Sequence, residues 1–394
     1  MSTCRSYKYR VYPTVEQANA LDRALRLQRE LYNAALEERR GAWRLERRSV
    51  NYVQQCRTLT QLREVRPEVL DFGVIVCRGT LQRLDLAYRD FYRRCKQGEK
   101  PGYPRFKARG RFDSLQWEDT SGWKLKTDAR RLHLRGIGHV KVKLHRELRG
   151  TPKAITVKRE GRHWFVSVRC VDIEPTPLET TGREVGIDLG VVNLVATSDG
   201  ELVFAGRFGR DAQAALAKAQ RDLKLKKKGS NRRRHAVERV AQHHRKVRNQ
   251  RRDLAHKVSR RLVNDYDFIV LEDLKVANMV SRPKPRPCSD GTFEPNGATA
   301  KSGLNRSIQD AGWAQLTRML VYKAADAGRE LRVVPPHFTS QRCSRCEHVD
   351  EASRRSQAVF RCTACGYQAH ADVNAACNVL WAGRAQRTAS ARAG

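Results

Sequence analysis

The sequence predicts an α/β protein with several domains. Residues 105–180 contain short, mostly alternating apolar and polar runs separated by turn residues, which is typical of an antiparallel sheet. Residues 13–104 instead place apolar side chains at helical spacing, and residues 181–394 alternate strand-like with helical runs. At 394 residues, the chain is long enough for two or three hydrophobic cores.

The N-terminal part is predicted to be one strand followed by a helical lobe. Residues 1–12 end in a run of alternating basic and aromatic side chains, which indicates a strand. Pro13 and Thr14 then begin a helix that continues to about residue 48, because proline and threonine are favoured at helix starts. Two more helical stretches follow within residues 13–104.

Residues 105–180 are predicted to form a small antiparallel β-barrel. The runs that begin at Trp123, Val140 and Trp164 alternate in polarity over four or five residues. The first strand, residues 1–12, could complete this barrel. The helical lobe would then be an insertion between two barrel strands.

The last part of the chain, residues 181–394, has the element order of an RNase H-like fold. Three strands are predicted first, beginning at Val185, Leu194 and Leu202, and a long basic helix follows at 221–261. A strand at Phe268, a helix at 308–328 and a strand at Leu331 complete the order. Residues 282–304 are rich in proline, glycine and small polar residues, and we expect a mobile loop there.

Three acidic residues in this region are candidate catalytic residues. Asp188 and Glu272 each lie in or just after a short apolar run, and Asp372 follows the second cysteine pair. Each acid has an ordinary alternative role: a turn aspartate, an acid after a buried strand, and the N-cap of a helix over Val373–Leu380. Their order within the predicted elements favours a shared site.

Three converging carboxylates predict a centre for divalent cations. Two Mg²⁺ or Mn²⁺ ions about 4 Å apart need shared carboxylate oxygens, and we expect Asp188 to bridge them, with Glu272 and Asp372 at either side. Gly186 and Gly190 flank Asp188, so backbone can approach closely there and a ligand can reach the carboxylate. Such a centre hydrolyses phosphodiester bonds without a separate general base.

Two cysteine pairs predict a structural zinc site. The ligands are Cys343, Cys346, Cys362 and Cys365. Two CxxC pairs separated by residues 347–361 fit tetrahedral thiolate coordination of one Zn²⁺ in a ribbon over 338–369. A redox dithiol is the alternative. The other cysteines are scattered along the chain, which indicates reduced thiols. The sequence shows no signal peptide and no apolar run long enough for a membrane span, so we expect a cytoplasmic protein.

The charge predicts a nucleic-acid partner. The formal net charge is +36, far more than solubility requires, although a ribosomal-type basic surface is the alternative. The basic tract at 221–261 repeats apolar residues at helical intervals, which predicts a helix with one packed and one cationic face, although such a face can also be merely solvated. Its candidate backbone contacts are Lys226, Lys227, Lys228, Arg232, Arg233, Arg234, Arg245, Arg248 and Arg252.

Several motifs together resemble a known family. They are Gly-Ile-Asp188-Leu-Gly, Leu-Glu272-Asp-Leu, Ser307-Ile-Gln-Asp-Ala-Gly-Trp313, Thr339-Ser-Gln-Arg-Cys343, Asp372-Val-Asn-Ala-Ala and Gly102-Tyr-Pro-Arg-Phe106. The chain resembles TnpB, the family of transposon-encoded RNA-guided nucleases regarded as ancestral to compact type V CRISPR effectors. The resemblance covers nearly the whole chain.

The resemblance implies a domain plan and a set of roles. It implies a wedge barrel at 1–12 and 105–180, a recognition lobe at 13–104, and a RuvC nuclease domain at 181–394 that holds the zinc ribbon. The three acids would be the RuvC site. Side chains near Tyr52, Arg78 and Gln116 would read a short motif beside the target.

The implied partners are a guide RNA from the transposon end and double-stranded target DNA, with no membrane. The resemblance favours a monomer bound to RNA in a prokaryotic cytoplasm, associated with the nucleoid. Two other functions stay open: an RNA-guided repressor that does not cut, and an unguided transposase or nuclease with an RNase H-like core. The presence of all three acids argues against the first, and the basic N-terminal lobe argues against the second.

Overall fold

The structure is a computed structural model that describes residues 3–289 and 291–392. The chain divides into two units, Met1–Glu174 and Pro175–Gly394, a few residues before the boundary predicted at residue 180. No helix within the described ranges has the length and apolar character needed to cross a membrane.

The first unit is built on an antiparallel sheet of seven strands. They are β1 (Thr3–Tyr12), β2 (Ser114–Trp117), β3 (Trp123–Lys126), β4 (Arg131–Leu134), β5 (Gly138–Lys143), β6 (Thr151–Glu160) and β7 (His163–Ile173). Their order across the sheet is β2-β6-β7-β1-β5-β4-β3, which places β1 between β5 and β7. In the described part of the unit, β2 and β3 form no ladder with each other, so the predicted barrel is a nearly closed sheet. Strand β2 is not among the strands predicted from the sequence.

Four helices lie between β1 and β2. They are α1 (Val15–Glu46), α2 (Tyr52–Arg57), α3 (Leu59–Val65) and α4 (Val74–Lys96). Thr14 starts α1 through a capping box: the Thr14 hydroxyl accepts from the Gln17 N–H, and the Gln17 side-chain oxygen accepts from the Thr14 N–H. Helix and sheet side chains share one hydrophobic core. A Cβ added at Gly79 of α4 would lie 2.6 Å from the Gln116 carbonyl oxygen, so glycine lets α4 pack directly on β2.

The second unit is built on a five-stranded mixed sheet. Its strands are β8 (Glu184–Asp188), β9 (Asn193–Thr197), β10 (Leu202–Phe204), β11 (Phe268–Glu272) and β12 (Glu330–Val334). The order is β10-β9-β8-β11-β12. Strands β8, β11 and β12 are parallel, whereas β9 and β10 are antiparallel to their neighbours. A small hairpin follows, formed by β13 (Val359–Arg361) and β14 (Gln368–His370).

Helices cover both faces of this sheet. They are α5 (Phe208–Asp211), α6 (Gln213–Lys224), α7 (Asn231–Asp265), α8 (Val276–Met279), α9 (Ala298–Ala311), α10 (Trp313–Ala327) and α11 (Ala371–Arg392). Leu262 of α7 and Leu320 of α10 belong to the main core, together with Ile187 and Leu271 of the sheet. Val379 of α11 packs against the opposite face of the sheet, in a separate cluster with Phe268, Val270 and Val334.

Three sequence predictions about helices in this unit are wrong in detail. The basic tract is not one helix, because residues 225–230 separate α6 from α7. The helix predicted at 308–328 is divided at Gly312, whose φ of 73° ends α9 in the left-handed region that glycine readily adopts. The loop predicted at 282–304 ends earlier, because α9 begins at Ala298.

Candidate active site

The structure brings the three predicted acids to one end of the five-stranded sheet. Asp188 and Glu272 are the last residues of the neighbouring parallel strands β8 and β11. The register pairs Ile187 with Leu271, so both carboxylates leave the sheet at the same edge. Asp372 is the second residue of α11, which packs along β8.

The charges of these acids act on one another. Burial raises the pKa of Asp188 to about 7, with the negative charges of Glu272 and Asp372 adding to the shift and the Arg354 cation opposing it. Burial also raises the pKa of Glu272, against a hydrogen bond from Thr339 and the charge of Arg354. A buried carboxyl group that titrates near neutral pH beside other acids is typical of a site that acts on a ligand.

Two residues that the sequence analysis missed hold Asp372 in place. Arg354 Nη2 lies 3.3 Å from Asp372 Oδ1, and Asn193 Nδ2 donates to Asp372 Oδ2 over 3.2 Å. The N-cap alternative for Asp372 is therefore wrong: its carboxylate faces these two side chains, and its own N–H donates to His370 Nδ1. Arg354 lies in the segment between the cysteine pairs, where sequence alone does not distinguish it from Arg355.

Close backbone packing places Asp372 near Asp188. A Cβ at Gly186 would lie 2.1 Å from the Ala376 carbonyl oxygen and 2.5 Å from the Leu380 nitrogen, so α11 fits against β8 only with glycine there. The close backbone approach predicted at Gly186 is thus confirmed, and α11 makes it.

The donor set fits hard divalent cations. Carboxylate oxygens are the ligands that Mg²⁺ and Mn²⁺ prefer, and a cation would relieve the repulsion that raises the pKa of Asp188. Among the described residues, the three acids are not grouped closely enough to form a ready site for a single metal ion, whereas the four cysteines are. A pair of ions about 4 Å apart needs oxygens that are more widely spread than those of a single-ion cage.

The four predicted cysteines form one cluster in which the Sγ atoms all lie within 4.8 Å of one another. Cys343 Sγ and Cys365 Sγ are 3.8 Å apart, and Cys346 Sγ and Cys362 Sγ are 3.6 Å apart. Tetrahedral thiolates about 2.3 Å from a central Zn²⁺ would be about 3.8 Å apart. The quartet can therefore hold a metal ion.

The two cysteine pairs have matching backbone turns. The N–H of Cys343 donates to the His348 carbonyl over 2.8 Å, and that of Cys362 donates to the Tyr367 carbonyl over 2.9 Å. The residue after each pair, Glu347 or Gly366, has a positive φ, which turns the chain back after the second thiol.

Two buried asparagines of α11 tie the first cysteine turn to the helix that carries Asp372. Asn374 Oδ1 accepts from the Ser344 N–H over 2.9 Å, and its Nδ2 donates to the Arg342 carbonyl over 2.8 Å. Asn378 Nδ2 donates to the carbonyls of Thr339 and Arg342. The Thr339 hydroxyl in turn donates to Glu272 Oε1 over 2.5 Å. The ribbon and the acids are thus joined by a continuous set of hydrogen bonds.

The structure places the three predicted motif readers near one another, where α2, α4 and β2 meet. Gln116 donates to Glu118, and the charges of Glu118 and Arg78 both act on Tyr52. Burial, together with a hydrogen bond to Cys56, raises the pKa of Tyr52 to about 12. Arg78 is exposed, whereas Tyr52 and Gln116 are half-buried.

The predicted backbone contacts of the basic tract are only partly available to a ligand. Lys226, Lys227, Lys228, Arg232, Arg234, Arg248 and Arg252 are exposed, and Arg245 is half-buried. Arg233 is used internally, because its Nη1 donates to the carbonyls of Leu223 and Lys226 and closes the turn between α6 and α7. The predicted packed face is also shorter than expected, since Val237 is 49% exposed while Val247 and Leu262 are buried.

The raised pKa of Asp188 predicts how pH affects the metal-free protein. From pH 3.8 to about 7, the unfolded chain has lost this proton while the folded chain retains it, so stability falls as pH rises and stays low above pH 7. The full effect is up to about 4 kcal/mol, since one pKa unit is about 1.4 kcal/mol.

Asp188→Asn is therefore expected to raise the Tm of metal-free protein at pH 8 and to change it little at pH 4. The measurement is thermal unfolding in the presence of a chelator. Asp253→Asn, on the exposed side of α7, is the control for the loss of a carboxylate elsewhere in the unit. Mg²⁺ should stabilise the wild type but not Asp188→Asn. An equal Mg²⁺ response in both proteins would contradict this assignment.

Three protein-family models match parts of this chain. The model of the family OrfB_IS605, described as a probable transposase, matches residues 167–282, and a Cas12f1-like TNB domain matches residues 313–379. An OrfB_IS605 helix-turn-helix domain matches residues 1–48, although the described residues there form one strand and one long helix.

Two relatives match over almost their whole length. The putative RNA-guided DNA endonuclease InsQ of Escherichia coli is 32% identical over 98% of this chain and 94% of its own length. A putative RNA-guided DNA endonuclease of Streptomyces pristinaespiralis is 35% identical over 97% of this chain and 90% of its own.

A solved structure shares the fold. The Cas12f1 protein in a complex with sgRNA and target DNA superposes with a TM-score of 0.55 at 14% identity, covering 96% of this chain and 98% of that one. The similarity to both full-length relatives, together with the OrfB_IS605 matches at two places along the sequence, shows that the chain belongs to the OrfB_IS605 family of TnpB-like proteins.

Proposed function

We propose that this chain is an RNA-guided DNA endonuclease that hydrolyses a phosphodiester bond of target DNA at Asp188, Glu272 and Asp372. The observation that carries the proposal is the convergence of the three acids at one sheet edge, close enough for the charges of Glu272 and Asp372 to add to the rise that burial causes in the pKa of Asp188. The names of the full-length relatives and the partners in the solved Cas12f1 complex support it.

We take the second unit to be a RuvC domain of the RNase H type. Its strand order, with three antiparallel strands followed by two parallel ones, supports this reading. In the first unit, the nearly closed sheet would be the wedge domain at 1–12 and 105–180, and α1–α4 would be the recognition lobe at 13–104. Tyr52, Arg78 and Gln116 would read the motif beside the target from the surface where the helices meet β2.

Asp188, Glu272 and Asp372 would hold two Mg²⁺ or Mn²⁺ ions. When bound, the ions would activate the attacking water and stabilise the departing oxygen of the DNA strand. The protein contributes the position of each carboxylate: Thr339 orients Glu272, and Asn193 and Arg354 orient Asp372. The guanidinium of Arg354 also partly balances the negative charge of the site.

We assign the cysteine quartet to one structural Zn²⁺. Four thiolates leave no open coordination position, so the ion would not take part in hydrolysis. Its role would be to fix the first cysteine turn and, through Asn374 and Asn378, the start of α11 that carries Asp372.

The implied partners are a guide RNA from the transposon end and double-stranded DNA, bound by one protein chain. The positive charge supports binding of both, since a surface of net charge +36 attracts phosphate backbones without reading their sequence. Base pairing with the guide would then choose the target.

The direct test is the RNA dependence of cleavage. We expect protein purified from a host that expresses the flanking transposon end to carry RNA, seen as an ultraviolet spectrum dominated by nucleobase absorption and not by tryptophan and tyrosine absorption. Sequencing that RNA identifies the guide, and a DNA with a matching target should be cut only when RNA and Mg²⁺ are both present. Specific cutting by RNA-free protein would refute the proposal.

A further inference from the structure

A cavity of about 800 Å³ lies in the second unit, among α5, α6, α7 and α9. Its volume is in the range of about 300–1,000 Å³ that is usual for ligand pockets. None of the three acids lines it, so the catalytic proposal does not use this cavity.

The lining of the cavity is strongly cationic. Arg210, Arg248, Arg251 and Arg306 line it, and Asp310 is the one carboxylate among the lining residues. Asp310 is already neutralised: it accepts from the Gly209 N–H over 2.8 Å and pairs with Arg251. The remaining arginines give the cavity an excess of positive charge, which favours an anionic ligand.

The wall of the cavity is held rigid by close packing around Asp310. A Cβ at Gly209 would lie 2.6 Å from Arg251 Nη2 and 2.8 Å from Asp310 Oδ1, so a side chain at this position would displace both groups. Arg251 Nε donates to Asp310 over 2.8 Å and links α7 to α9. A cavity fixed in this way pays little ordering cost when a ligand binds.

The cavity also has an apolar side. Leu216 of α6 and Val247 of α7 line it, with the flat rings of His243 and His244 on the same helix as Val247. Apolar and aromatic walls accept a nucleobase, whereas the arginines accept a phosphate. A bare anion would leave the apolar side unused, but a nucleotide matches both sides.

We propose that this cavity binds one nucleotide unit of the guide RNA, with its base against Leu216 and Val247 and its phosphate paired with Arg248 and Arg306. The inference rests on the proposed function, because that function supplies the RNA. A free mononucleotide shares this chemistry and is tested separately below.

Gly303 allows a test that changes shape without changing charge. It lies on α9 and lines the cavity, and a Cβ added there meets no heavy atom within 4 Å. Gly303→Phe should therefore place a ring in part of the cavity at little cost to its walls, and Gly303→Ala is the matched control. We expect Gly303→Phe to weaken binding of the co-purified guide RNA roughly ten-fold, the usual size for one lost base stack. Both variants should keep the wild-type Tm or exceed it.

A charge variant tests the phosphate contact. Arg306→Gln should weaken RNA binding and lower the slope of log K against log salt by about 0.7, the value for one phosphate of a single strand. Arg318→Gln, an equal charge change on α10 outside the cavity lining, should leave that slope unchanged.

Equal RNA affinity for Gly303→Phe and Gly303→Ala would overturn the proposal. A titration with AMP gives a second contradicting result: AMP binds the wild type but not Gly303→Phe, while both proteins bind RNA equally well. The occupant of the cavity would then be a free nucleotide. These measurements need no DNA cleavage. Wild-type protein that binds no RNA at all would instead contradict the proposed function.

Discussion

Asp188→Ala is expected to reduce guided cleavage of target DNA at least roughly 1,000-fold while target binding changes less than about three-fold. The lost carboxylate would hold the catalytic ions, and removing several kcal/mol of transition-state stabilisation reduces a rate by about this factor. Binding should persist because the charge that grips phosphate lies on arginine and lysine side chains, not on this acid.

The measurement pairs single-turnover cleavage with a gel-shift titration of the same target, using protein reconstituted with guide RNA. Asp253→Asn, which removes a surface carboxylate of α7, is the control and should cut at the wild-type rate. Loss of target binding by Asp188→Ala would mean that the acid is structural. Cleavage within ten-fold of the wild-type rate would exclude Asp188 from the metal site.

Cys343→Ser is expected to release the metal of the cysteine quartet and to lower the Tm by roughly 10 °C. Cys343 is fully buried, and structural Zn²⁺ sites couple metal binding to folding of the segment that holds them. In a unit of this size, each kcal/mol lost from the free energy of unfolding lowers the Tm by about 2–4 °C, and we expect a loss of a few kcal/mol. Cleavage should be lost as well, because the ribbon carries Arg354 and is bound to α11 by Asn374 and Asn378.

Metal content measured by atomic emission checks this directly. Wild-type protein should contain one zinc ion per chain, and Cys343→Ser should contain far less. Cys288→Ser, outside the quartet in the same unit, should retain both zinc and the wild-type Tm. Full zinc occupancy in Cys343→Ser would show that the ion is held elsewhere.

The strands and the cysteine quartet were predictable because their signals are local. An alternating run such as Val140–Lys143 indicates a strand whatever its partner, and the structure has β5 there. Thiolate identity and the spacing of two CxxC pairs likewise predict a metal cluster before any fold is known. The three acids were selected in the same way, from the apolar runs that precede two of them.

Helix ends were less well predicted, although the sequence marks them. Residues 226–235 contain no apolar side chain, and Ser230 among them is the N-cap of α7, so the break between α6 and α7 has a local signal. Gly312 carries a signal as well, since a glycine after a helical run often ends the helix in the left-handed region. Apolar residues resume at helical spacing after Trp313, which makes that helix end easy to overlook.

The amino-acid sequence by itself determined which groups can bind metal, which segments become strands, and that the chain carries a large excess of positive charge. These are properties of side-chain chemistry and short-range spacing. Only the tertiary structure decided that Arg354 and Asn193 orient Asp372, that α11 closes over Gly186, and that an arginine-lined cavity forms around Asp310. Such contacts join residues far apart in the chain, and their energies depend on distance and burial that exist only after folding.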